Sequence, residues 1–447
     1  MDGYYAWMLV ATALVLMMTT PALALFYGGM TRSKSVLNMM MMSYVSLAVV
    51  GIVFVLWGWS MGWGGDGAGN LNGKLIANPF TMFGLDGVST GNYIYVLFQL
   101  TFAGITAALI TGAIADRVKL SSWLVFLPLW ATLVYFPIAH NVWGGGWLAT
   151  KMPALDYAGG TVVHINAGVA GLVLALIIGK RVGFMKEPMK PHNLTLTMIG
   201  AGLLWFGWYG FNVGSIVFTS DSLDDPSKFS AQFMGETGST FMNTTIATMA
   251  AMLAWLLVER FLHGKATSLG AASGIVAGLV AITPACGAVT LVGAIAVGVV
   301  AGALCAVAVG LKFKLKMDDS LDVVGVHLVG GLVGTLMIGL VGTTASATGK
   351  DGFFPAGTDG LFYGGDLTLL GHQAAAALFT IVWCGVFTTI IALAIKYTIG
   401  WRITAEEEVD GIDFAEHGET AYDLATSGSF GGSSVLAPSV SKEGVHA

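Results

Sequence analysis

Charge is scarce in this chain. Only 10% of its 447 residues are Asp, Glu, Lys or Arg, where soluble domains carry about 25%. That shortage excludes a soluble globular protein, and the lack of a basic patch excludes a nucleic-acid binder. Cysteine is scarce too. Cys286, Cys305 and Cys384 each lie in or beside an apolar segment, so neither a disulfide framework nor a metal site is expected. There is no phosphate-binding glycine loop, no dinucleotide fingerprint and no Ser/His/Asp signature, so no enzyme chemistry and no cofactor is indicated. The opening residues, Met1-Asp-Gly-Tyr-Tyr5, carry no positive stretch. No cleaved leader is therefore expected, and the first helix should enter the membrane directly.

What fills the chain is apolar sequence: 55% of residues are hydrophobic, with a mean hydropathy of +0.77. Apolar runs of roughly 18 residues or more read as membrane-spanning helices. Eleven are predicted, at about 6–29, 36–61, 93–115, 121–139, 159–180, 194–217, 236–258, 268–284, 288–311, 322–343 and 372–399. The fold class is thus an all-α polytopic membrane protein. Residues 1–402 form the transmembrane domain, and 403–447 a C-terminal tail whose Ser/Gly-rich end, after about 428, is expected to be disordered. Basic residues set the orientation. With the N-terminus outside, 16 of the 20 fall on inner loops or the tail, and only Lys74, Lys151, Lys228 and Lys350 fall outside. A plasma-membrane protein with a cytoplasmic C-terminus follows. Much of the net charge of −6 is local, in Asp221, Asp224 and Asp225 and between Glu406 and Asp423, and reads most simply as solvated loop.

Two histidines stand inside these apolar runs in one frame. His164 lies in Val163-His-Ile-Asn-Ala-Gly-Val-Ala-Gly171 and His327 in Val326-His-Leu-Val-Gly-Gly-Leu-Val-Gly334. Ionisable groups are costly in a bilayer and mark a site or pathway by default. The motifs fall in helices five and ten, an odd offset, so the copies run in opposite directions. That is the mark of an inverted repeat, helices 1–5 against 6–10, with helix 11 outside it. Phe26-Tyr-Gly28 in helix one is echoed by Trp208-Tyr-Gly210 in helix six. The abundant glycines allow close helix approach.

His164 lies ~12 Å along its helix from Asp156, and His327 ~8 Å along its own from Asp322. Repeat symmetry brings both toward the midplane. Adjacent imidazoles can share a proton and leave outer nitrogens for a small ligand. Alternatively each bonds a backbone carbonyl on its own. Two imidazoles alone make a poor metal site. Trp143, Phe98, Phe102 and Phe211 offer aromatic faces to a cation, and Ser215 a hydroxyl. By composition alone each aromatic reads first as an interfacial belt or core residue, and Trp143 at a helix end fits a belt. Asp156 and Asp322 are each expected to cap a helix start, with cation ligation the sharper alternative. Asp116-Arg117 reads as a surface pair, and Asn193-Leu-Thr195 is discounted as a glycosylation site because it falls on the inner side.

Taken together, Ala139-His-Asn-Val-Trp-Gly-Gly-Gly146, Asp156-Tyr-Ala-Gly-Gly-Thr-Val-Val-His164, Gly207-Trp-Tyr-Gly-Phe-Asn-Val-Gly-Ser215, Thr283-Pro-Ala-Cys-Gly287, Asp322-Val-Val-Gly-Val-His327 and His417-Gly-Glu-Thr-Ala-Tyr422 resemble the bacterial branch of the Amt/Mep/Rh ammonium transporters. The resemblance spans about residues 1–424. It implies eleven helices in an inverted five-plus-five repeat and a homotrimer with one pore per subunit. Trp143, Phe102 and Ser215 resemble an outer ammonium-recruitment site, and Phe102 with Phe211 a phenyl gate. His164 and His327 resemble twin pore histidines, and Asp156 a buried supporting aspartate. The inner face and tail resemble a docking surface for a PII-class signalling protein. Val213 stands where many relatives have alanine.

The expected activity is ammonium uptake: the cation is recruited, deprotonated and conducted as ammonia, with its proton carried too. A neutral ammonia gas channel and an ammonium sensor are the alternatives. A sodium-coupled solute transporter is disfavoured, because no pair of broken helices stands at matching positions.

Overall fold

The computed structural model describes residues 2–64, 74–344 and 359–422. The expectation of disorder after 428 lies outside these described residues. Eleven helices follow in order. The first five are α1 (Asp2–Met30), α2 (Val36–Trp63), α3 (Tyr93–Ile114), α4 (120–142) and α5 (Gly160–Ile178). The second five are α6 (Leu194–Val213), α7 (Pro226–His263), α8 (Ser268–Ile282), α9 (Leu291–Lys314) and α10 (Val324–Val341), and α11 (Leu367–Thr398) completes the bundle. Among the described residues, all but α8 are long and apolar enough to cross a membrane. There is no strand among them, only two isolated bridges.

Capping side chains fix where the helices begin. Asn193, Asp225, Thr267, Thr290 and Asp366 each accept an amide hydrogen from the first turn of α6, α7, α8, α9 and α11. These amides have no partner within their own helix, so the side chain supplies one. Asp225 and the following Pro226 move the start of α7 ten residues earlier than the apolar pattern predicts. α8 stops at Ile282, short of the predicted 284, because Pro284 has no N–H to continue it. Residues 283–288 go on as buried turns, which membrane depth tolerates when protein surrounds them.

The bundle turns its apolar side chains outward. Ile52, Leu253 and Val292 are each more than 60% exposed, while His164 and His327 are buried. Such a surface suits lipid. The N-terminus and the tail lie on opposite faces, called here the N-terminal face and the C-terminal face.

Helices α5 and α10 cross at the centre, and the repeated glycines set how closely. A Cβ on Gly168 would lie 2.5 Å from the Leu328 nitrogen and 2.6 Å from the Leu328 Cβ. Its repeat mate, Gly331, would place one 3.1 Å from the His164 Cβ and from Ile165 Cγ1. Each glycine thus packs on the residue at or just after the other helix's histidine. This reciprocity is what an inverted repeat produces at its axis. Helix α11 braces the outside of α5 and α10. Gln373 accepts from the Leu155 N–H (2.6 Å) and donates to the carbonyls of Leu155 (2.8 Å) and Thr335 (3.0 Å).

Asp116 and Arg117, expected on the surface, are buried at the C-terminal end of the bundle. The reason is a turn. α3 ends at Ile114, and Asp116 takes a left-handed backbone (φ 72°) that folds the chain inward. Arg181 pairs with Asp116 (2.9 Å) and forks onto Asp318 (2.8 and 3.0 Å). Arg32 reaches Asp116 at 3.2 Å, and Arg117 donates to the Asp318 carbonyl (2.8 Å) and the Ser320 hydroxyl (2.6 Å). Burial pushes the Asp116 carboxyl up, but Arg181 and Arg32 overcome that and hold it below the ordinary carboxylate range.

The tail folds over this cluster through α12 (Ala405–Asp410) and α13 (Ile412–His417). Glu408 accepts from the Val182 N–H (2.7 Å) and pairs with Arg402 (2.6 Å), and Asp413 accepts the Leu37 and Asn38 N–H groups at the start of α2 (3.0 and 2.7 Å).

Three substitutions test this packing. Gly168→Ala is expected to cost about 1–3 kcal/mol through overpacking, and more than Gly331→Ala, whose neighbours sit farther away. Thermal unfolding in detergent compares them, and equal midpoints would contradict the crossing geometry. Asp318→Ala removes the carboxylate from Arg181 and is expected to cost about 3–5 kcal/mol, read as a lowered unfolding midpoint.

Candidate functional site

The two histidines are placed by two matching helix starts. Asp156 accepts the N–H groups of Gly159 (2.8 Å), Gly160 (2.6 Å) and Thr161 (2.8 Å), together with the Thr161 hydroxyl. The first turns of α5, Gly160–Ile165, are π-helical and carry His164. In α10 the π-helical turn is Val324–Leu328 and carries His327. A π-helical turn re-aims a side chain and is common at functional sites.

The expected cap at Asp322 is corrected here. Asp319 is the capping residue, accepting from Val323 N–H (3.1 Å) and Val324 N–H (2.8 Å). Asp156 and Asp319 each stand eight residues before their histidine. Asp322 occupies the position of Gly159, and both have left-handed backbone (φ 64° and 118°). Its carboxylate is turned to Lys312, at 2.6 Å. Burial pushes the Asp319 carboxyl up to about 6, with Lys312 opposing and Asp322 adding to the shift. The eight-residue offset was readable in the sequence and is the signal that finds Asp319. Asp156, by contrast, caps as expected.

The imidazoles meet directly. His164 Nδ1 and His327 Nδ1 lie 3.3 Å apart, with ring planes 22° from parallel. One of these nitrogens donates and the other accepts. In a neutral pair the histidines therefore carry opposite tautomers. His164 Nε2 is buried and has no hydrogen-bond partner among the described residues. The reading in which each histidine separately bonds a carbonyl gives way to a paired one.

Both imidazoles line a narrow cavity of about 10 Å³, room for one water-sized molecule. Its remaining walls are apolar and include Leu23, Phe26, Ile105, Leu109, Trp208 and Phe211. The Phe26/Trp208 echo thus falls on the cavity itself. Trp208, singled out in the sequence only as an echo, stacks on His164 at 5.5 Å and is anchored by its indole N–H to Thr283 (2.8 Å).

Toward the N-terminal face, Phe102 and Phe211 stack with centroids 4.0 Å apart and planes 11° from parallel. Nothing fits between rings at that spacing. The Phe211 ring lies 6.2 Å from His164. Trp143 stands edge to face with Phe102 at 6.1 Å and donates its indole N–H to the Asp156 carbonyl (2.8 Å). That bond leaves the indole's π face as its free chemistry. Ser215 donates to the Phe211 carbonyl (2.8 Å), so its oxygen lone pairs remain for a donor. Trp143 and Ser215 are half-buried, while the phenyl pair and the histidines are buried. Trp143, Phe102, Phe211, His164 and His327 form one continuous line, with Ser215 bonded to the backbone carbonyl of its third member, Phe211. No group of three His, Cys, Asp or Glu capable of holding a metal occurs among the described residues.

Residues 6–422 match the Ammonium Transporter Family. An ammonium transporter of Mycobacterium tuberculosis (strain ATCC 25618 / H37Rv) is 52% identical over 473 aligned positions, covering 99% of this chain and 94% of that protein. The crystal structure of Saccharomyces cerevisiae Mep2 superposes with a TM-score of 0.81 at 34% identity, covering 95% of this chain and 92% of that one. A structure titled Sensor Amt Protein superposes at 0.79 with 26% identity, covering 93% and 98%. With the matching fold and this arrangement of side chains, the chain belongs to the ammonium transporter family.

Proposed function

We propose that the chain carries ammonium across the plasma membrane by separating it into ammonia and a proton, and that both reach the cytoplasm. One observation carries this reading: a closed phenyl stack lies directly above a pair of touching imidazoles in a cavity the size of one small molecule. A bare cation in such a shaft loses its hydration and gains no counter-charge, a cost of several kcal/mol or more. Ammonia is neutral and of the right size. Potassium has no proton to shed, so the same shaft rejects it.

Trp143 and Phe102 offer π faces to the cation at the vestibule, and Ser215 accepts one of its hydrogen bonds. At the Phe102/Phe211 gate an ammonium N–H bond breaks and its proton passes to Nε2 of His164, which has no other hydrogen-bond partner among the described residues. Ammonia then slips past as the rings part and moves along His164 and His327. The Nδ1–Nδ1 hydrogen bond gives the proton a route between the rings, which makes transport electrogenic. Asp156 supports the site structurally by fixing the start of α5 and holding Trp143. The excess of basic residues on the C-terminal face makes that face cytoplasmic. By resemblance to the family, the unit is a homotrimer with one pore per subunit, and a PII-class protein docks on the cytoplasmic face. The likeness to a sensor Amt protein supports a second reading, in which transport reports nitrogen status to a partner.

Ammonium-evoked current in proteoliposomes tests the proposal, with potassium and methylammonium for comparison. A current with ammonium and none with potassium is expected. Ammonium uptake without current would leave a neutral ammonia channel, and no uptake would leave the sensor. Trp143→Leu is expected to lower the preference for ammonium over potassium and raise the apparent KM by about tenfold, the loss of one cation–π contact of roughly 1–2 kcal/mol. Unchanged selectivity would remove Trp143 from the site. His164→Ala is expected to cut the maximal current by about a hundredfold with little change in apparent KM, and a fully active variant would refute the relay.

A further inference from the structure

Helix α7 carries a carboxylate that the conduction line does not use. Glu236 is buried, 4% exposed, within a membrane-spanning helix. Among the described residues it makes no ion pair with a basic side chain. Such a group is costly in a membrane and is retained where it serves a site. Its two oxygens are each engaged by a neutral donor. The Tyr157 hydroxyl donates to one at 2.7 Å, and the Gln232 amide to the other at 2.8 Å.

These contacts lead to the two walls of the cation vestibule. Tyr157 directly follows Asp156, whose carbonyl holds the Trp143 indole. Gln232, one turn before Glu236 and fully buried, donates to the Val217 carbonyl (3.0 Å) and accepts the Thr219 N–H (3.2 Å). Residues 217–219 belong to the irregular segment that follows the turn at Gly214 and Ser215 after α6. A single buried chain therefore runs from the Trp143 wall through Tyr157, Glu236 and Gln232 to the Ser215 wall. The walls come from different halves of the repeat, so no helix of their own fixes their separation.

We propose that Glu236, with Gln232, is a positioning residue that sets the spacing of Trp143 and Ser215 and thereby the affinity for ammonium. The carboxylate is required for its acceptor pattern. It takes two hydrogen bonds from opposite sides, whereas an amide at 236 has one oxygen, so either its NH2 meets the NH2 of Gln232 or the Tyr157 hydroxyl must turn from donor to acceptor. The proposal rests on the reading of Trp143 and Ser215 as the recruitment site.

The test is ammonium- and methylammonium-evoked current in proteoliposomes. Glu236→Gln is expected to raise the apparent KM by about tenfold, the scale of a lost hydrogen bond to a charged group, while the maximal current stays within about twofold. Tyr157→Phe removes the hydroxyl that reaches Glu236 and is expected to raise KM by about fivefold. The exchange Gln232→Glu with Glu236→Gln restores donor against acceptor between the two side chains but leaves the Val217 carbonyl without its donor, and is expected to recover only part of the lost affinity. An unchanged KM in folded Glu236→Gln, or a loss of maximal current without a KM change, overturns the proposal. If that variant does not fold, Tyr157→Phe decides by the same criterion. Trp143→Leu separates the two levels. A raised KM there with none in Glu236→Gln sinks the positioning role alone, whereas no change in either sinks the recruitment site and this proposal with it.

Discussion

The close crossing of α5 and α10 is the constraint on which the rest depends. Two imidazoles share a hydrogen bond only if their backbones approach to within reach, and ordinary side chains at the crossing would hold the helices apart. Gly168 and Gly331 remove that spacer, each against the residue beside the opposite histidine. The resulting Nδ1–Nδ1 distance of 3.3 Å is a property of the backbone crossing before it is a property of the histidines. In lipid, where apolar contact between helices gains nothing over contact with the acyl chains, close approach itself is a main source of helix association. The same glycines therefore serve stability and the pore together.

A second constraint follows from the first. Short π-helical turns and capped helix ends sit deep in the bundle, and each leaves amide hydrogens that water cannot reach. Asp156 and Asp319 satisfy them at the two helix starts, and their carboxylates fix where the π-helical turns fall. The cluster of Arg32, Asp116, Arg181 and Asp318 works likewise at the C-terminal end, where the loops that join the helices must be held without an apolar core of their own. Few charges occur in the chain, and many of those that do are buried in such roles.

What the sequence makes legible follows from this division. The eleven apolar segments, the fold class and the paired frame around His164 and His327 are one-dimensional patterns, and each is seen in the fold. Trp143, Phe102 and Phe211 lie in contact, with Ser215 on the Phe211 carbonyl, although the residues alone left the three aromatics as belt or core. Asp322 was misread because it stands nearest the helix start. The repeat alignment, which places it opposite Gly159, identifies Asp319 instead. Asp116-Arg117 looked like a surface pair because a charged dipeptide beside a helix end usually is one. Its burial depends on the left-handed turn at Asp116 and on partners 65 residues and more away in sequence, which no local pattern records. The early start of α7 was hidden in the same way, since a polar first stretch capped by Asp225 does not look like a membrane helix.

The repeat also explains how a nearly symmetric centre acquires two different mouths. Gly159 and Asp322 hold equivalent left-handed positions ahead of the two histidines. At the N-terminal mouth the missing side chain matters, because a Cβ on Gly159 would lie 2.5 Å from Val163 and 3.6 Å from the Trp143 ring. The Trp143 distance is an ordinary contact; it is the clash with Val163 and the φ of 118° that call for glycine here. At the other mouth the same position carries a carboxylate, neutralised by Lys312 at 2.6 Å, and the Lys312 ammonium also lies over the Phe313 ring at 5.4 Å. The two mouths therefore differ at this equivalent position, glycine in the first half and aspartate in the second.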